Sequence, residues 1–79
     1  MKIPKRPYVG PARFYQENLR KSASTYANPA YIDSPGGKQP AVALFRDHNL
    51  MGILTIDDAR RLSNFILDSI NAHEAGDHA

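Results

Sequence analysis

Apolar and polar residues separate most cleanly between Leu54 and His73. At about 100° per residue, Ile56, Ala59, Leu62, Ser63, Phe65, Ile66, Leu67 and Ile70 fall on one side, and Asp57, Arg60, Arg61, Asn64, Asp68 and Asn71 fall on the other. That periodicity predicts a long amphipathic helix. Thr55 stands where its hydroxyl can accept a first-turn N–H, and Asp57 and Asp58 lie at the positive end of the helix dipole. Asp57 and Arg61 have the i to i+4 spacing of a local ion pair. Gly76 supplies the stop. The apolar face covers roughly half the circumference, more than an ordinary core-facing stripe. It should therefore pack on a sheet and still leave apolar surface over.

A second helical pattern begins at Pro11, which suits a first helical position, and continues through Ala12, Tyr15, Leu19, Ala23 and Tyr26. Arg13, Gln16, Glu17, Arg20 and Lys21 lie between them, and Glu17 with Lys21 forms a favourable i to i+4 pair. Ser22, Ser24 and Thr25 weaken its end, Asn28-Pro29 is read as its terminator, and a strand beginning near Tyr26 competes for the last few residues. From Ala30 the pattern becomes that of a hairpin. Tyr31 and Ile32 start an extended run, Ser34-Pro35-Gly36-Gly37 provides turn chemistry, and Ala41 to Phe45 resumes with aliphatic and aromatic residues. Pro40 marks the second strand as an edge, or itself as a strand start. Arg46-Asp47-His48-Asn49 is turn-prone, and Leu50 to Leu54 is either a third short strand or a buried approach to the long helix. The expected fold is a small α+β single domain. It has an N-terminal helix, a short antiparallel β-hairpin or three-stranded sheet, and a long C-terminal amphipathic helix. Residues 1–10 form a basic, proline-containing arm, residues 11–75 the domain, and residues 76–79 a tail.

Seventy-nine residues allow only a modest core, and without cysteine neither a disulfide nor thiolate-bound zinc can supplement it. Oligomerisation is the remaining route, which points to a homodimer. No apolar run reaches the roughly 20 residues of a membrane span, and the basic N-terminus lacks the apolar centre of a signal peptide, so a cytoplasmic location is expected. Charge is uneven: Lys2, Lys5, Arg6, Arg13, Arg20 and Lys21 face only Glu17 in the first 21 residues, whereas the remainder carries four basic against seven acidic residues. The basic front can serve an acidic partner such as nucleic acid or remain a solvated arm.

Candidate chemistry is thin. His48 falls in a turn, and His73 and His78 miss by one residue the i to i+4 placement of a zinc-binding helix, so no metal site is expected. Gly36-Gly37-Lys38 is followed by Gln39-Pro40 and lacks the spacing of a phosphate loop. Asp57 and Asp58 are adjacent on a helix and point about 100° apart, which suits dipole partners better than an acid and base pair. Nothing assembles a nucleophile, a base and an oxyanion donor, so neither an enzyme nor a cofactor is expected.

Val42-Ala43-Leu44-Phe45, a polar turn, Leu54-Thr55, Asp57-Asp58-Ala59-Arg60-Arg61-Leu62 and Ile66-Leu67-Asp68 together resemble the C-terminal half of small strand-strand-helix proteins of actinobacteria and their bacteriophages. The resemblance covers residues 41–73. It lends no catalytic residue, and it implies a phage or prophage accessory protein more than a housekeeping enzyme.

The expected function is a non-enzymatic protein-interaction module, homodimeric through Phe65, Leu67 and Ile70, and able to bind a host protein. The alternative is a small nucleic-acid-binding regulator using the basic front, with Lys5, Arg6, Arg13, Arg20 and Lys21 as phosphate contacts and Tyr8 and Tyr15 to stack or hydrogen-bond. The carboxylates beside Arg60 and Arg61 disfavour the long helix for that role.

Overall fold

A computed structural model describes residues 7–76. Residues 7–11 carry neither helix nor strand. A short 3-10 turn, Ala12–Phe14, leads into helix α1 (Tyr15–Ala23), and three strands follow: β1 (Thr25–Ser34), β2 (Gly37–Arg46) and β3 (Asn49–Thr55). Helix α2 (Ile56–Gly76) follows β3. The strands form one antiparallel sheet in the order β1-β2-β3, which makes the molecule a small α+β protein of the expected class. Lys5 and Arg6 of the basic arm lie outside the described residues, as does the tail beyond Gly76.

The first helix is shorter than its pattern suggests. Ser24 Oγ and Thr25 Oγ1 both donate to the Lys21 carbonyl, at 3.1 and 2.6 Å. These hydroxyls satisfy a carbonyl orphaned at the helix end, and the chain turns directly into β1. Asn28-Pro29 is therefore not a helix terminator. Pro29 sits within β1, opposite Val42, and is tolerated because β1 is an edge strand whose outer side needs no donor. Tyr26 likewise belongs to the sheet: it lies opposite Phe45, with the two rings stacked 5.2 Å apart.

Ser34-Pro35-Gly36-Gly37 closes the first hairpin, with proline and glycine where a tight turn favours them. Gly37 adopts φ +123°, a conformation that side chains disfavour. The second turn consists of Asp47 and His48, both at positive φ, 54° and 66°. Two such residues between Arg46 and Asn49 match the twist of a two-residue hairpin, and Asp and His are among the residues that tolerate this region. This turn makes the apolar run Leu50 to Leu54 a true third strand. It pairs with Ala41–Arg46 only, through an irregularity at Leu44/Phe45. Consequently β2 is the central strand, not an edge, and Pro40 falls in its first part, beyond the reach of β3.

Thr55 Oγ1 accepts the Asp58 N–H at 3.1 Å and caps α2 as the sequence suggests. The ion pairs differ in spacing: Asp57 meets Arg60 at 3.6 Å and Asp58 meets Arg61 at 3.1 Å, both i to i+3, in place of Asp57 with Arg61. With no residue between β3 and α2, the helix folds back over the sheet and lies across β2 and β3. Only Ala41 and Ala43, at 4% and 5% exposure, are buried among the described residues. Among the described residues no helix is long and apolar enough to cross a membrane.

Candidate protein interface

Strand alternation puts Ala27, Val42, Leu44 and Leu54 on one face of the sheet, since Ala27 pairs with Leu44 and Val42 with Leu54. Ala59, Leu62, Ser63 and Ile66, the i, i+3, i+4, i+7 stripe of α2, face these four across an open apolar cleft of about 330 Å³. α2 packs chiefly on β2 and β3, and from β1 it is Ala27 that borders the cleft. Val42 and Leu44 are in consequence only half-buried.

Every residue of α2 from Ile66 onward is exposed. Of the three residues expected at an interface, Phe65 is half-buried, whereas Leu67 and Ile70 remain 55% and 47% exposed. Ile70 lies one turn beyond Ile66 and continues the sheet-facing stripe past the sheet. The cleft residues Ala27, Val42, Leu44 and Leu54 were not singled out by sequence reasoning. Ala27 falls where the end of the first helix and a strand beginning near Tyr26 compete, and Leu54 where a third strand and an approach to the long helix do.

The basic front is arranged differently from a phosphate-binding surface. Arg20 donates twice to Asp47, with both nitrogen–oxygen distances 2.9 Å, and also approaches Glu17 at 4.0 Å. The Asp47 N–H donates to the Ser24 carbonyl at 3.3 Å, so the β2–β3 turn is clasped to the end of α1. The bond from Arg20, with help from Ser24, holds the Asp47 carboxyl below its ordinary value, and the same bond raises Arg20. Lys21 pairs with Glu17 at 3.4 Å, as its spacing suggests. The Arg13 guanidinium lies 4.9 Å above the Phe14 ring. Tyr8 and Tyr15 are both exposed. The Tyr26 hydroxyl and His48 Nδ1 are 3.2 Å apart on the same side of the clasp. The structure thus brings Arg20, Asp47, Tyr26 and His48 together around a turn. It does not join Arg13, Arg20 and Lys21 into one unpaired cationic surface. Among the described residues no three His, Cys, Asp or Glu side chains gather as metal ligands.

Comparison with known protein families, curated proteins and solved structures gave no match.

Proposed function

We propose that this chain is a non-enzymatic protein-interaction module that works as a homodimer in the cytoplasm, with the apolar face of α2 as its contact surface. The observation that carries this reading is the amount of surface left open. The chain exposes 6965 Å², whereas a folded chain of 8.8 kDa exposes about 4800 Å². That excess is shared between the exposed segment before β1, where Tyr8 is 90% exposed, and the uncovered second half of α2. Its radius of gyration is 15.8 Å, against about 12 Å for a compact chain of this length. Leu67 and Ile70 lie within the uncovered part of the surface.

The resemblance of residues 41–73 to small actinobacterial and phage proteins supports an accessory role, in which the dimer presents its remaining exposed face to a host protein. Nucleic-acid binding is the less supported alternative, because Arg20 and Lys21 are already engaged by carboxylates. Sedimentation equilibrium of the intact chain and of Ile70→Asp tests the reading. A twofold interface repeats each contact, and with Ile70 about half exposed in the single chain the substitution removes on the order of 2 kcal/mol of apolar burial. The dimer should then dissociate at concentrations at least about tenfold higher. An unchanged mass distribution for Ile70→Asp would remove the helix face from the account.

A further inference from the structure

The same chain carries an apolar cleft with no helix on one side and an apolar helix with no sheet beneath its second half. The cleft lies between α2 and β1, and only the stripe from Ala59 to Ile66 reaches it. Beyond Ile66, α2 continues for ten residues, about 15 Å, all of them exposed. A helix that contributes Ile70 at the next position of its own sheet-facing stripe has the right side chains for such a cleft, and no sheet of its own beneath them.

Resting on the dimeric reading above, we infer that the C-terminal half of α2 from a second copy of this chain fills the cleft, with Ile70 of one copy seated against Ala27, Val42 and Leu44 of the other. The exchange is reciprocal about a twofold axis, as an isologous interface requires. Each sheet face then carries two helices, its own over β2 and β3 and the partner's over β1. The surface for it comes from the exposed half of α2 and the open cleft of each copy.

Charge agrees with this occupant. Arg46 shares the sheet face of Leu44 by strand alternation, one position beyond the cleft, and its Nε is buried without a hydrogen-bond partner. Beyond Ile66, α2 carries no lysine or arginine, and Glu74 lies one turn past Ile70 on the same stripe. A helix entering with Ile70 against the sheet therefore brings a carboxylate, and no competing cation, to a cleft whose end carries Arg46.

The chain has no cysteine, so introduced thiols report geometry without background. Copies with Ala27→Cys are mixed with copies with Ile70→Cys and oxidised, and each is also oxidised alone. A second mixture, Ser63→Cys with Ile70→Cys, probes the opposite wall of the cleft. Circular dichroism checks that every variant folds, and light scattering gives the mass before oxidation. The inference expects disulfide-linked dimers as the major species in both mixtures, at least about tenfold over either Ala27→Cys or Ile70→Cys oxidised alone, because a disulfide requires Cα atoms within about 7 Å. A mass of two chains without these cross-links, or with efficient linkage of Ile70→Cys to itself, would overturn the exchanged-helix arrangement and leave the dimer standing. A mass of one chain would overturn both, and would leave the cleft to a helix from a foreign protein.

Discussion

Asp47 links three elements through one side chain and one N–H. Its carboxylate receives both bonds from Arg20 in α1, its N–H reaches Ser24, and its own φ of 54° shapes the β2–β3 turn. Because the folded-state carboxyl is held below its ordinary value of 3.8, the clasp contributes stability above that value and loses it as pH falls through the depressed one. Carbon-detected titration of Asp47 should show the lowered midpoint. Arg20→Ala should return it to the ordinary carboxylate range, and a midpoint that does not move would mean that the guanidinium does not set it. Thr55 acts more locally. Thr55→Ala should lower unfolding stability by about 1 kcal/mol, with Thr55→Ser recovering most of it, as measured by urea denaturation. The two residues also differ in how they could be found. Thr55 and Asp58 are three positions apart and obey a local rule, so the cap was legible in the sequence. Arg20 and Asp47 lie 27 positions apart, and no spacing rule joins them.

At the scale of elements, α2 was legible because its caps, period and length agree. The start of β1 was open, because Ala23 and Tyr26 continue a helical stripe while Thr25 and Tyr26 also suit a strand. The sheet wins here. Tyr26 stacks on Phe45, and the hydroxyls of Ser24 and Thr25 close the helix before the pattern ends. Prolines misled for a related reason. Pro29 and Pro40 break ladders only where a neighbour needs their donor; β1 is an edge, and β3 stops short of Pro40. The first hairpin depends on Gly37, whose φ of +123° strains any side chain although nothing lies within 4 Å of its absent Cβ. Gly37→Ala should therefore destabilise the fold by about 1 kcal/mol or more. Gly36→Ala meets neither a neighbour nor a positive φ and should change little. Equal effects in thermal denaturation would contradict the assignment of strain to Gly37.

For the whole molecule, the decisive feature is a chain measuring 51 × 28 × 16 Å in which only two alanines are buried among the described residues. Sequence length and the wide apolar face of α2 already implied a thin core and surplus apolar surface. The position of that surplus was not legible, because it depends on α2 packing chiefly on β2 and β3, a long-range packing outcome. A core this open leaves apolar surface for the second chain proposed above. The apolar contact proposed for that chain differs in its salt response from binding through phosphates, which weakens steeply as salt rises. The most direct test is the solution mass of the intact chain by light scattering, at low and high salt and without nucleic acid. A homodimer held by apolar contact gives twice the 8.8 kDa chain mass at both salt concentrations. A mass of one chain under both conditions would contradict it.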